Sequence, residues 1–322
     1  MKIVVLDGYA LNPGDLSWKD FEQFGEVIVY DRTSYTDKSE IIQRIGEAEV
    51  VITNKTPIDE SVLSQTPKVQ YVGVIATGHN VVDTQAASDR GIVVTNIPSY
   101  GTEAVAQFTF ALLLEITSQV GLHNQSVHAG DWESSIDFMY TKTPLMELSG
   151  KTFGLVGYGA IAQATARIAH AMNMTVIYAN HRPKEAEEWA TQVSLEELYR
   201  RSDVISLHVP QTKDTAKMIN PDTIAQMKDS VILLNTARGG LLDEAAVAEA
   251  LNNGKIAAAG VDVVSTEPIQ SDNPLLQAKN CFITPHIAWA PVETRERLMG
   301  IAVDNLASFL EGRPQNMVNI EK

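Results

Sequence analysis

Two doubly wound parallel-sheet α/β domains are what this chain predicts, and three observations carry the prediction. A length of 322 residues with 44% hydrophobic content is long for one core and comfortable for two. Short runs rich in Val and Ile recur, each followed by a turn and a more polar stretch of helical spacing, the alternation that lays strands parallel. One of these runs opens onto a glycine turn, "LVGYGAIAQA", in a strand, turn and helix context.

The first domain, expected to be flavodoxin-like, draws its strands from "KIVVLDG", "EVIVYD", "VVITN", "YVGVIAT" and "GIVVTN". Between the second and third, "DKSEIIQRIGEA" sets Ile41, Ile42 and Ile45 on one helix face. From Thr102 to Ser118 the chain is apolar on nearly every side except at Glu103, Gln107 and Glu115, as in a helix buried between layers or subunits. It reads as the connector into the second domain and as a contact of a homodimer. The stretch "HAGDWESSIDFMYTKTPLMELSG" lacks a clear period, so it is either a surface loop or a loop closing over a site. The second domain, expected to be a Rossmann domain, opens with "KTFGLVGYGAIAQATARIAHAMNMTVIYAN" and continues through "VISLHVP", "VILLNTA", "AAAGVDVV" and "CFITPHI". Ser194 and Glu197 are spaced as a capping box, Asp243 can cap "EAAVAEALNNG", and Gly254 terminates it. After Pro291 an amphipathic segment is expected to pack back on the first domain. The boundaries are then 1–100 with 288–322 for the substrate domain and 101–287 for the nucleotide-binding domain.

A formal charge of −15 argues against nucleic acid, whose phosphates require basic patches. It does not exclude a small anionic substrate, which responds to the local field of its pocket. The apolar run Ile3 to Leu6 is far shorter than the roughly 7–15 residues of a signal h-region. No run approaches the roughly 18 apolar residues of a membrane span, so no membrane is expected. The single Cys281 allows no internal disulfide and no cysteine-based metal site, and it reads as a small buried hydrophobe of a cytoplasmic protein. No metal is expected.

In "VGYGAIAQA", Gly157 permits the tight turn, Gly159 lets the backbone approach a pyrophosphate, and Ala162 suits helix and strand packing. The helix start adds free N–H groups and a positive dipole end. A methyltransferase cofactor also uses a glycine turn after a first strand, and the later motifs decide against it. In "TVIYANHRPKE", where an acid holding the adenosine ribose is expected, the chain has Asn180, His181 and Arg182. Asn180 can bond a ribose hydroxyl without repelling a 2′-phosphate, which Arg182, and His181 when protonated, would attract. This predicts NADPH use with NADH tolerated. The alternative is an Arg182 that points to solvent or pairs with Glu185.

Three polar residues fall at strand ends of the second domain: Arg238 in "ILLNTARGGLLDE", Glu267 in "GVDVVSTEP" and His286 in "FITPHIAWAP". Singly each has a bland explanation. Together they suit reduction of a carbonyl beside a carboxylate: Arg238 clamps the anion and polarises the carbonyl, and His286 exchanges the proton. Glu267, if it reaches the imidazole, would favour its charged form.

"LVGYGAIA", "LHVPQTKDTAKMI", "LLNTARGGLLDEAAVAEAL", "GVDVVSTEP" and "ITPHIAWA" resemble, in order, the motifs of the D-isomer-specific 2-hydroxyacid dehydrogenases over nearly the full chain. "VVLDGYALNPGDLSW", "VITNKTPID" and "VIATGHNVVD" most resemble the D-glycerate dehydrogenase (hydroxypyruvate reductase) branch. The resemblance implies Arg238, Glu267 and His286 as the catalytic set, and a small 2-oxo or 2-hydroxy acid as substrate. It further implies that Thr77 and Gly78 offer amides to the substrate carboxylate, with Asn54 and Lys55 nearby. The cofactor set it suggests is Gly157, Tyr158, Gly159, Ala160, Ile161, Asn180, His181, Arg182, His208, Val209, Pro210, Thr215, Thr236, Ala237 and Asp262. Asp262 corresponds to the residue that meets the nicotinamide amide, or is a structural cap. Trp289, Phe138 and Tyr140 are expected to shape the pocket. One departure is Phe108, where many relatives carry His. The alternatives are a non-catalytic sensor of dinucleotide redox state and a formate-type dehydrogenase.

Overall fold

All strand pairings within the two sheets are parallel. The computed structural model describes residues 1–319. It divides into two units, Met1–Gly101 with the chain from Ala290 onward, and Thr102–Trp289.

The first unit holds β1 (Lys2–Val5), β2 (Glu26–Val29), β3 (Val50–Thr53), β4 (Tyr71–Val74) and β5 (Val93–Thr95), in the order β2-β1-β3-β4-β5. Strands β3, β4 and β5 are buried at every residue, which is why their sequences run apolar without alternation. The edge strand β2 is only partly covered. The helix Lys38–Ile45 turns Ile41 and Ile45 inward, and Asp37 caps it by accepting from the amides of Ser39 and Glu40. Helix Val292–Leu310 belongs to this unit, where Arg295 binds Asp15 through two bonds of 2.7 and 2.6 Å. The amide of Val318 then reaches the carbonyl of Val94 at 2.9 Å, covering the β5 edge.

The second unit holds β6 (Thr152–Val156), β7 (Thr175–Ala179), β8 (Ala190–Gln192), β9 (Val204–Leu207), β10 (Val231–Asn235), β11 (Ile256–Val261) and β12 (Cys281–Ile283). Their order is β12-β11-β10-β9-β6-β7-β8, so the winding reverses between β6 and β9. In open parallel sheets that reversal, at the carboxyl ends of the strands, is where ligands bind. The connector helix Thr102–Ser118 lies in this unit, with Phe110 stacked on Phe153 at 5.5 Å and Ile116 and Leu112 pressed against Gly260. Strand β8 was not anticipated from the sequence, because two of its three residues are exposed and polar. The expected capping box is half formed: Ser194 accepts from the amide of Glu197, but the Glu197 carboxylate goes forward to Arg201 at 2.6 Å. An (i, i+4) ion pair has displaced the reciprocal cap. Asp243 and Gly254 bound their helix as expected, the glycine at φ 83°. Burial pushes the Cys281 thiol up to about 12, so it stays protonated and inert.

Candidate active site

The carboxyl ends of three adjacent strands, β10, β11 and β12, bring together one group of polar residues. After β10, fully buried Asn235 accepts from the amide of Ala237 and donates to the carbonyl of Arg238, shaping the turn from which the exposed Arg238 side chain extends. That side chain bonds the Ala237 carbonyl at 2.6 Å. A Cβ on the next residue, Gly239, would stand 1.9 Å from the carbonyl carbon of Val264. The Arg238 turn is therefore packed directly against the segment leading to Glu267, at a distance that only glycine permits.

Glu267 lies 2.7 Å from Nδ1 of His286 through one oxygen and accepts from the amide of Val264 through the other. An ionised carboxylate only accepts, so Nδ1 carries the proton of that bond and Nε2 is the nitrogen left to exchange one. His286 sits in the left-handed region, φ 57°. What holds it there is Asp262, only 1% exposed, whose oxygens accept from the Thr284 hydroxyl at 2.6 Å and from the amides of Ile287 and Ala288 at 2.9 Å. The carboxylate expected at the nicotinamide amide thus also clasps the turn bearing His286. Asn235 carries no signal in the sequence beyond a polar residue ending an apolar run.

The glycine turn follows β6. Gly157 has φ 91°, and a Cβ there would stand 2.6 Å from the carbonyl of His208 and 2.8 Å from Val209. At Gly159 an added Cβ would meet nothing within 4 Å. The turn is thus closed against the protein at Gly157 and open at Gly159, the side a pyrophosphate would approach. Helix Ala160–Ala171 begins here, and the first amides of a helix have no partner within it. These residues fit a dinucleotide. The Tyr158 side chain, 1% exposed, stacks on Tyr178 at 3.8 Å, so only its backbone belongs to the turn. Ala160 and Ile161 begin the helix.

At the end of β7, Asn180 donates its amide to the carbonyl of Arg182 at 2.8 Å. Gln192 of β8 donates to the carbonyl of Asn180 at 3.1 Å, and Tyr178 to that of Lys184 at 3.2 Å. His181 and Arg182 are exposed, and among the described residues Arg182 makes no ion pair, with Glu185 or otherwise. After β9, His208 bonds the Ser206 hydroxyl at 2.9 Å, and burial pulls its imidazole down to about 4, so it is neutral at pH 7. Val209 and Pro210 continue this loop, which Thr215 closes by donating to the carbonyl of Pro210 at 2.7 Å. Thr236 meets Thr109 at 3.1 Å.

In the other unit, the hydroxyl of Thr77 donates to the carbonyl of Ile97 at 2.8 Å, and Asn96 donates to the carbonyl of Thr77 at 2.7 Å. The turn after β4 is braced through its side chain and its carbonyl. The amides of Thr77 and Gly78 donate to no acceptor among the described residues. Lys55 is exposed on the loop after β3, whose amides are taken by Asp7. Of the aromatics expected to shape a pocket, Phe138 is 89% exposed and Tyr140 bonds Ser126 at 2.8 Å.

Residues 110–288 match the family model described as D-isomer specific 2-hydroxyacid dehydrogenase, NAD binding domain. The chain is 57% identical over 321 residues, 99% of its length and 100% of the relative's, to a hydroxypyruvate reductase of Blautia hydrogenotrophica. It is 39% identical to a glycerate dehydrogenase of Methylorubrum extorquens, with 98% of both chains covered. Among solved structures, an acyclic imino acid reductase in complex with NADPH and D-Arg superposes with a TM-score of 0.85 at 31% identity, covering 99% of this chain and 100% of that one.

Proposed function

The chain belongs to the D-isomer-specific 2-hydroxyacid dehydrogenase family, and we propose that its substrates within that family are hydroxypyruvate and glyoxylate. It is an oxidoreductase of the CH–OH group that uses a nicotinamide cofactor. The substrate reading is supported by 57% identity, end to end, to a hydroxypyruvate reductase.

The single observation carrying the mechanism is the 2.7 Å bond from His286 to Glu267 beside the Arg238 turn. A bound nicotinamide supplies the hydride. Nε2 of His286 gives its proton to the carbonyl oxygen as that oxygen gains charge, and takes it back in the reverse direction. Glu267 holds the imidazole oriented through its 2.7 Å bond to Nδ1. The Arg238 guanidinium, always charged, binds the substrate carboxylate and polarises the carbonyl beside it. Within the first unit taken by itself, the amides of Thr77 and Gly78, which donate to no acceptor among the described residues, suit a carboxylate, with Lys55 adding charge.

For the cofactor, the finer reading is NADPH with NADH tolerated. The absence of an acid at position 180, and an Arg182 guanidinium that is tied up in no ion pair among the described residues, support it. A homodimer is supported by exposed apolar side chains on Val120, Trp132, Ile136, Phe138 and Leu145. No single helix among the described residues is long and apolar enough to cross a membrane. A cytoplasmic setting rests on the lone, inert thiol.

Initial rates with hydroxypyruvate, glyoxylate and pyruvate against NADPH and NADH test these readings together. Hydroxypyruvate and glyoxylate should lead. Cofactor binding with no turnover of any 2-oxo acid would favour a redox sensor, and turnover of formate a different dehydrogenase.

A further inference from the structure

Asp7 follows β1 at the carboxyl edge of the first sheet and is 5% exposed. Its Oδ1 accepts from the amide of Asn54 at 2.7 Å, and its Oδ2 from the amides of Lys55 at 2.6 Å and Thr56 at 2.9 Å. Three successive amides converging on one anion make a nest of the kind that elsewhere holds a bound carboxylate or phosphate. The sheet order β2-β1-β3-β4-β5 puts the reversal of winding between β1 and β3. That is the crevice in which a doubly wound sheet of this order takes its ligand. Asp7 and the loop Asn54–Thr56 are the two sides of that crevice.

We propose that Asp7 is a positioning residue that fills the anion nest at the β1/β3 switch point with the protein's own carboxylate, and so directs the substrate carboxylate to the turn after β4. The neighbouring amides of Thr77 and Gly78 are the ones left without an acceptor among the described residues. Thr77 is locked in place by bonds that leave its N–H unused. One carboxylate thus does two things: it closes the wrong receptor and it fixes the backbone of Lys55. The inference rests on the reading of the β4 turn as the substrate's receptor.

Asp7→Asn keeps the shape but removes the charge and turns one acceptor into a donor facing an N–H group. In the full-length enzyme it should raise KM for hydroxypyruvate by about tenfold or more, leave kcat within about threefold, and leave KM for the nicotinamide cofactor unchanged. A purely structural role would lower the melting temperature without this split, and that result, or an unchanged KM, overturns the proposal. Should Asp7→Asn not fold, Asp7→Glu decides: it keeps the charge but displaces the acceptors by one methylene, and unaltered KM again refutes. Lys55→Ala is measured alongside. A raised KM there with an unmoved KM in Asp7→Asn rejects the role of Asp7 alone, whereas no change in either rejects the receptor reading and the proposal with it.

Discussion

Nδ1 of His286 lies 2.7 Å from Oε2 of Glu267, and the histidine's backbone is held left-handed at φ 57° by a turn that Asp262 clasps. A single L-residue in that region costs on the order of 1–2 kcal/mol. Three hydrogen bonds to the buried Asp262 side chain, from the Thr284 hydroxyl and the amides of Ile287 and Ala288, hold the turn against that cost. The ring is pre-aimed rather than free to search.

His286→Ala should therefore bind cofactor normally, by fluorescence titration, while kcat falls by roughly 10²–10⁴-fold. Glu267→Gln should fall less, by about 10–100-fold, because on the proposed mechanism the proton donor survives and only its orientation is altered. Equal losses for both would show that Glu267 does more than steer the ring.

Arg182→Ala should raise KM for NADPH by about tenfold, equivalent to about 1.4 kcal/mol, and leave KM for NADH within about twofold. An equal change in both would mean that the arginine merely orders its loop. Asn180→Asp places a carboxylate against the Arg182 carbonyl that Asn180 now donates to. It should shift preference toward NADH by repelling a 2′-phosphate.

The two glycines of the turn should separate cleanly. Gly157→Ala meets the His208 carbonyl at 2.6 Å with a positive φ, so it should cost at least about 1–2 kcal/mol of stability as well as cofactor affinity. Gly159→Ala meets nothing in the protein, so thermal unfolding should stay within about 2 °C of the parent while cofactor affinity drops. A destabilised Gly159→Ala would contradict an open cradle.

His208 carries a pH dependence of stability. Its folded-state pKa is lowered to about 4 by burial, against about 6.5 when unfolded. Between those values the unfolded chain holds more protons, so stability is highest above pH 6.5 and declines as pH falls toward 4, by at most about 3 kcal/mol. Urea unfolding at pH 7.5, 6 and 5 should show this slope in the parent and a shallower one in His208→Asn. Parallel slopes would assign the acid sensitivity elsewhere.

Much of this was legible along the chain. Runs such as "VVITN" and "VILLN" read as strands because both faces are covered, and "VGYGAIA" reads as a cradle because its glycines stand at a strand-to-helix junction. Strand β8 was not legible, since an edge strand of two polar residues and an alanine has no apolar signature. Glu197 misled for another reason: the spacing of a capping box also suits an ion pair one turn on, and Arg201 was the partner it took. Asp262 was legible as a structural cap, though not the turn that it clasps, whereas Asn235 and Asp7 act through bonds to backbone that the sequence pattern does not announce.

By itself the sequence determined the parallel architecture, the location of the glycine turn, and the three residue types at strand ends that suit carbonyl reduction. Those are properties of local order, because periodicity and motif spacing are written over a few to a few tens of neighbouring positions. Only the tertiary structure decided which carboxylate meets His286, that Asp262 clasps its turn from 25 residues away, and that Asp7 reaches loop amides 47 to 49 residues on. The physical reason is strand adjacency: the parallel sheet sets β10 beside β11 beside β12, and β1 beside β3, so side chains distant in sequence come within about 3 Å at one edge.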